Sequence, residues 1–361
     1  MVRAEELALR GLGDVEPNPI VGAVVVADGR VVGEGWHQAF GGPHAEVVAL
    51  RAAGEAARGA TVHVTLEPCS TRGKTGPCTE ALRDAGVARV VVGCVDPNPD
   101  HASRGLELLR DAGVAVELAH SAGSAALIRR FAAGLDRRRP WVIAKWAMSR
   151  DGGLAPADRS RRQLSGPAAA ERVQAWRASL DAVVVGVGTV LADDPQLTYR
   201  GLAPSVRPLR RVVLDPRLRT PPAARLVTTG GETPSWIFAH DDADDSLAEA
   251  LEVEGARVFR VPPGDDWTRA VLETLYLQGV RRLMVEGGSH TLGRFVTAGL
   301  VDQVAVFLTP VELGADALPA VEGLELAGAD PGQLAQTLRL QDVRVEALGD
   351  DRLLQGFPES R

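Results

Sequence analysis

Three residues far apart in the chain restrict its fold more than anything else in it: His44 in Pro43-His44-Ala45-Glu46, Cys69 in Glu67-Pro68-Cys69, and Cys78 in Pro77-Cys78. One imidazole and two thiolates form a ligand set for tetrahedral zinc. Three protein ligands leave the fourth corner to water, which is how catalytic rather than structural zinc is held. Any fold of this chain must bring positions 44, 69 and 78 into one coordination sphere. Zinc acidifies water at such an open corner. Glu46, two residues past His44, is the candidate catalytic proton shuttle, because its carboxylate reaches that water. The competing reading is a helix-capping histidine with two ordinary core thiols. It requires ligands, carboxylate and both prolines to coincide by accident.

A chain of 361 residues, 45% hydrophobic and 24% charged, has enough apolar material for two globular domains. No run approaches the 18 apolar residues of a membrane span. The opening Met1-Val2-Arg3-Ala4-Glu5-Glu6 carries acids and leads into no secretory signal. Three cysteines, two of them ligands, leave no disulfide framework, so a reducing, cytoplasmic setting is expected. The net charge of −7 argues against broad nucleic-acid binding through phosphate contacts. It leaves room for a small anionic substrate held by a few local cations.

Along the first half, an amphipathic helix from about Ala4 stops at Gly11-Leu12-Gly13, and Pro17-Asn18-Pro19 turns rigidly into the apolar run 20–27. Asp28-Gly29 signals a hairpin to a strand at 31–36, and Gly41-Gly42-Pro43 breaks the chain before a helix over 45–57. His44 and Glu46 then sit at that helix's first turn, where its dipole is positive. The alternating strand 61–66 delivers Cys69, and Cys78 opens a helix to 84, a setting that favours the thiolate. Strand 89–95, helix 104–112, strand 114–118 and a closing helix 127–135 complete a three-layer α/β domain. Asn18 and His37 are candidate substrate contacts, and Lys74, on the loop between the cysteines, is a candidate phosphate partner. Asn18 also suits an Asx turn, and a surface position suits His37 nearly as well. Cys94 and His63 read as structural.

These blocks resemble a known family. Pro17-Asn18-Pro19-Ile20-Val21-Gly22, Pro43-His44-Ala45-Glu46-Val47, Thr65-Leu66-Glu67-Pro68-Cys69-Ser70 and Asp96-Pro97-Asn98-Pro99 look like the deaminase half of the bifunctional riboflavin-biosynthesis deaminase/reductase. The telling detail is the eight residues between Cys69 and Cys78, since nucleoside- and nucleic-acid-type zinc deaminases have two there. The resemblance implies a cytidine-deaminase-like α/β/α domain. Its implied reaction is hydrolytic deamination of 2,5-diamino-6-ribosylamino-4(3H)-pyrimidinone 5′-phosphate. It implies zinc on His44, Cys69 and Cys78, proton transfer by Glu46, and substrate contacts from Asn18, His37 and Lys74. Thr71 stands where the family usually has histidine, and Gly76 where it has proline.

The basic run Arg137-Arg138-Arg139 with Pro140 marks a boundary, giving domains 1–139 and 140–361. Strands are expected at 141–148, 181–185, 211–214, 235–239, 257–261, 281–285 and 303–309, with helices at 166–179, 246–254 and 266–278 and a last hairpin around Gly349-Asp350-Asp351. Two glycine-bearing turns follow strands, Gly186-Val187-Gly188-Thr189 and Glu286-Gly287-Gly288, where backbone amides can meet cofactor phosphate or ribose. This half also resembles the same family, in its dihydrofolate-reductase-like domain. The likeness runs through Lys145 to Gly152, the block 185–195, Leu197-Thr198-Tyr199-Arg200, Val285 to Ser289, and Ala298 to Asp302. It implies NADPH-dependent reduction of the ribosyl group to ribityl. By family position Arg177, Asp193 and Arg200 hold substrate, while Ser165, Gly186, Gly188, Thr189, Gly287 and Gly288, with Glu286 beside them, meet NADPH. Gly153 replaces the family's basic residue after Asp-Gly, and Gln163 replaces a tryptophan.

The whole reads as an α/β chain with a zinc deaminase domain followed by an NADPH reductase domain. Its expected partners are a small phosphorylated pyrimidine and further copies of itself, with no nucleic acid and no membrane. Thr71, Gly153 and Gln163 define the alternative, a paralogue acting on a related aminopyrimidine or with one active half. A nucleic-acid-editing deaminase fits neither the negative charge, nor the long inter-cysteine loop, nor the second domain.

Overall fold

Valine-rich runs, favoured on a half-buried pleated surface, become the strands of two separate sheets in the computed structural model, which describes residues 1–71, 76–158, 160, 162–201, 208–229, 231, 235–326 and 330–359. Contacts divide the chain into two units, Met1–Arg137 and Arg138–Arg361.

In the first unit α1 (Val2–Ala8) precedes β1 (Gly22–Ala27) and β2 (Arg30–Trp36), followed by α2 (Ala45–Ala53), β3 (Thr61–Leu66) and α3 (Cys78–Asp84). Then come β4 (Arg89–Cys94), α4 (Arg104–Asp111), β5 (Ala115–Leu118), α5 (Ala122–Leu127) and α6 (Arg129–Ala133). The sheet runs β2-β1-β3-β4-β5, with β1 antiparallel to both neighbours and β3, β4 and β5 parallel. Val62, Val64, Val90 and Val92 are fully buried at its centre. Asp28 and Gly29 both have positive φ, 50° and 76°, the turn that matches strand twist in a two-residue hairpin. Helix α2 lies against β2 because Gly33 and Gly35 have no side chain: a Cβ on either would sit 2.3–2.4 Å from the backbone of Ala49. That contact fixes where the helix begins, and with it His44.

Two helix expectations are corrected. The helix expected over 45–57 ends at Ala53, where Gly54 takes φ 54°, and Gly54–Ala57 is a 3₁₀ turn. The closing helix 127–135 is two short ones, interrupted at Ile128, whose φ of −95° and ψ of 0° are not helical.

The second unit contains β6 (Trp141–Met148), β7 (Gly153–Ala155), α7 (Pro167–Ser179), β8 (Ala182–Gly186), α8 (Val187–Asp193), β9 (Arg210–Leu214) and α9 (Arg225–Thr228). It continues with β10 (Ser235–His240), α10 (Asp245–Val253), β11 (Ala256–Val261), α11 (Trp267–Leu277), β12 (Arg282–Glu286) and α12 (Ser289–Thr297). Last come β13 (Gln303–Leu308), β14 (Leu318–Pro319), α13 (Pro331–Thr337), β15 (Leu340–Leu348) and β16 (Asp351–Pro358). Nine strands form one sheet in the order β11-β10-β9-β8-β12-β6-β13-β16-β15. The first seven are parallel, and the hairpin β15–β16 joins antiparallel at one end. The carboxyl ends of β8, β12 and β6 lie side by side at the centre, the usual place for a ligand in a parallel sheet. The Gly186-to-Thr189 stretch, expected as a turn, is the start of α8. Among the described residues no helix is long and apolar enough to cross a membrane.

Candidate functional site

In the first unit His44 is the N-cap of α2, held extended at φ −73° and ψ 159°, and Glu46 follows in the first turn, 3% exposed. Cys69 lies just beyond β3, and Cys78 is the first residue of α3. The fold brings the three ligand atoms within 4.8 Å of one another. His44 Nδ1 is 3.2 Å from Cys78 Sγ and 3.4 Å from Cys69 Sγ. Bonds of ~2.1 Å to nitrogen and ~2.3 Å to sulfur, at tetrahedral angles, place N and S about 3.6 Å apart. The trio therefore has the spacing and donor chemistry of a shared zinc.

The charges around it support thiolates. The backbone N–H of Cys78 donates to Cys69 Sγ at 3.3 Å. Contact with Cys78, and then with His44, pulls the Cys69 thiol down to about 4. The same contact, reinforced by burial and Glu46, pushes Cys78 up: without a metal the two sulfurs share one proton. Burial raises the Glu46 carboxyl, which also meets Cys78.

Asn18 and His37 join this cluster. His37 is 3% exposed, which removes the surface reading, and its ring stands edge-on to His44 with centroids 5.5 Å apart. Its Nδ1 bonds the Pro43 carbonyl oxygen at 3.0 Å, so Nε2 accepts from Asn18 Nδ2 at 3.2 Å. Thr71 is exposed. Lys74 lies outside the described residues. Cys94 stays apart from the ligands, its thiol on the Thr65 carbonyl oxygen.

One contributor escaped the sequence reading. Glu67 is 5% exposed, and its carboxylate accepts from the N–H groups of Asp96, Ser103 and Gly105 at 2.9–3.1 Å. It straps the segment 96–105 to the Pro68-Cys69 ligand turn. A Cβ at Gly105 would lie 2.1 Å from the Pro68 carbonyl oxygen, so the approach needs that glycine. The available signal was a carboxylate directly before a ligand turn at a strand end.

In the second unit a cleft of about 330 Å³ opens beside the ends of β6, β8 and β12. Arg177, Asp193, Arg200, Thr189, Glu286 and Gly287 line it; Ser165, Gly186, Gly188 and Gly288 do not. Leu164 takes the place expected for Ser165, whose carbonyl oxygen instead accepts from Gln163. Gly188 faces open space, whereas a Cβ on Gly186 would be 2.2 Å from Thr291 Oγ1. Arg177, expected on substrate, is buried: it grips Glu286 through Nε and Nη2 at 2.8–3.1 Å and gives Nη1 to the Thr198 carbonyl oxygen. Lys145, unremarked in the sequence among apolar β6 neighbours, stands 3.9 Å from the same carboxylate. Burial alone would raise Glu286, but Lys145 and Arg177 outweigh it and hold its carboxyl below the usual range. Burial pulls Lys145 down.

The turn after β12 fits a bound dinucleotide. Gly287 and Gly288 both have positive φ, 67° and 65°, and a Cβ on either would press on Thr189 at 3.4 or 3.2 Å. Gly288 caps α12, and the buried Ser289 hydroxyl has no partner. A cradle of bare backbone with an orphaned hydroxyl at a helix start is what a phosphate group would satisfy.

A family model described as the RibD C-terminal domain matches residues 140–354, and one described as the cytidine and deoxycytidylate deaminase zinc-binding region matches residues 1–94. The riboflavin biosynthesis protein RibD of Aquifex aeolicus is 37% identical over 98% of this chain and 96% of its own length. That of Escherichia coli K12 is 40% identical over 90% and 91%. The solved Acinetobacter baumannii RibD superposes with a TM-score of 0.70 at 36% identity, over 99% of this chain and 98% of its own. A Thermotoga maritima diaminohydroxyphosphoribosylaminopyrimidine deaminase/5-amino-6-(5-phosphoribosylamino)uracil reductase does so at 0.69 and 32% identity, over 99% and 97%.

Proposed function

The chain belongs to the RibD family of bifunctional riboflavin-biosynthesis enzymes, with a zinc-binding deaminase domain and a reductase domain, and from that premise we propose which residues carry its two reactions and on what substrate. The substrate is a diaminopyrimidine carrying a phosphoribosylamino group, deaminated on the ring and then reduced in its sugar. The observation that carries the reading is the His44–Cys69–Cys78 trio with buried Glu46 against it.

Zinc held by that trio supplies an acidified water as nucleophile. Glu46 takes the proton of the attacking water and delivers it to the departing amine, so that water adds at the ring carbon and ammonia leaves. Asn18, fixed by His37, presents its remaining amide groups to the pyrimidine. In the second domain NADPH supplies hydride to the sugar carbon of the opened ribose. Gly287, Gly288 and Ser289 hold cofactor phosphate, Thr189 packs beneath them, and Arg200 and Lys145 face the substrate. Arg177 orients Glu286 rather than touching substrate. Both reactions run in the cytosol, in a homo-oligomer.

Purified protein with the diamino substrate and NADPH tests this, with ammonia release and NADPH loss scored separately. Both should occur in order. NADPH loss without ammonia release, or ammonia release without NADPH loss, would favour the one-active-half reading.

A further inference from the structure

We propose that the open edge of β15 is where a second copy of this chain docks, adding its own β15 antiparallel about a two-fold axis through Val345. The proposal deepens the homo-oligomer reading and rests on it. Strand β15 ends the nine-stranded sheet: β16 pairs with one side of it, and no described strand pairs with the other. Val343 is 39% and Val345 49% exposed, and Gln341 and Ala347 are exposed beside them. An open edge carrying exposed valines is one that soluble proteins blunt or pair.

The opposite edge of the sheet is blunted. There β11 carries Arg257 and Arg260, both cationic, one lying over Phe259 and the other bonded to Asp245. Strand β15 instead carries both signs, with Arg344 and Glu346 flanking Val345. In antiparallel pairing about Val345, Arg344 stands opposite Glu346 of the partner subunit, and symmetry repeats the pair. Val345 faces its own copy, and Val343 faces Ala347 of the partner subunit. Moving the axis one residue either way sets Arg344 against Arg344 of the partner subunit, or Glu346 against Glu346 of the partner subunit, and like charges directly opposite are destabilising. An axis through Val343 would require a regular strand where the ladder to β16 slips between Gln341 and Arg344, and where Asp342 takes φ 48°. From Arg344 to Leu348 that ladder is unbroken.

The two faces of the strand suit the same register. On one, Glu346 already bonds Arg172 of α7 at 2.7 Å, so a second cation opposite it completes a three-membered charge cluster. On the other, Val343, Val345 and Ala347 form an exposed apolar row that pairing extends across the axis.

Sedimentation of the full chain over a range of concentrations tests the proposal. The wild-type chain should associate. Arg344→Glu and Glu346→Arg should each weaken association at least tenfold, and the double reversal should restore it to within about threefold. Arg172→Ala should leave it unchanged. Val345→Cys should form a disulfide-linked dimer under mild oxidation that Gln341→Cys and the wild type do not form. A monomeric wild type removes the homo-oligomer reading and this inference with it. An assembly indifferent to both reversals, with no Val345→Cys cross-link, overturns the edge while the homo-oligomer reading stands. Loss in both single reversals without recovery in the double overturns the two-fold register.

Discussion

Glu46 and the two cysteines are neighbours in space with separable duties, and single substitutions divide them. Glu46→Gln keeps the shape of the site and the three ligand atoms. It should retain zinc while ammonia release falls by ~10²–10⁴-fold, the scale of a lost general acid–base group, with reduction of deaminated substrate unaffected. Cys69→Ser and Cys78→Ser each remove a ligand, and elemental analysis should find zinc depleted in both. Gly153 behaves differently from what its family position suggests. Restoring a lysine there would seem to return a missing cation, yet a Cβ at this buried strand position would lie 2.6 Å from Ala317 Cβ and 3.1 Å from Leu313 Cδ1. Gly153→Lys should therefore lower stability by ~1–3 kcal/mol, the usual penalty of overpacking, read as a drop in Tm. A gain in NADPH or substrate affinity without that drop would show that the neighbours yield.

At the scale of elements, the carboxyl ends of β6, β8 and β12 bring Lys145, Glu286 and Arg177 into one ion cluster, and its consequences are measurable. Glu286→Ala leaves two cations without their counter-charge and should cost about 3–5 kcal/mol, as removing one partner of a buried pair does. The pH dependence follows from the sign of the shift. The folded pKa of Glu286 lies below its ordinary 4.5, so its stabilisation is complete above that value and is lost as pH falls through the lower folded one. Urea midpoints between neutral and acid pH should converge for wild type and Glu286→Gln as the pH drops; parallel curves would mean that Lys145 and Arg177 do not act on it. Gly288→Val forces a branched residue to φ near 65°, a strain of ~1–2 kcal/mol, and fills the cradle against Thr189. NADPH affinity should fall at least tenfold, more than the stability loss explains.

These elements also mark how far the sequence could be read. Strand β3 and helix α3 were legible to the residue, because alternation in Thr61–Leu66 and a proline before Cys78 are local signals. The ligand trio was legible because coordination chemistry dictates residue types wherever they lie. The Lys145–Glu286–Arg177 cluster was not: its members come from three elements, and a lone lysine in an apolar strand carries no sign of its partner. The break at Ile128 and the crowding around Gly153 were equally hidden, since both are decided by packing rather than by neighbours in the chain.

For the molecule as a whole, each unit has its own sheet and its own buried core, one built around Val62, Val64, Val90 and Val92, the other around Trp146, Val184, Val285 and Phe238. Each also has its own ligand. A ligand that binds one folded unit and not its unfolded chain stabilises that unit alone, by ~2.7 kcal/mol at a hundred times its Kd. Calorimetry of the full chain should accordingly resolve two transitions that answer to different additions. NADPH at that excess should raise one by roughly 5–10 °C, the shift expected for a unit of about 200 residues, and leave the other in place. Chelation of zinc should do the converse, lowering only the transition that NADPH does not move and abolishing ammonia release while NADPH-dependent reduction of the deaminated substrate continues. A single transition shifted by both treatments would mean that the two cores melt as one cooperative body, and that a substitution in either half is felt by both activities.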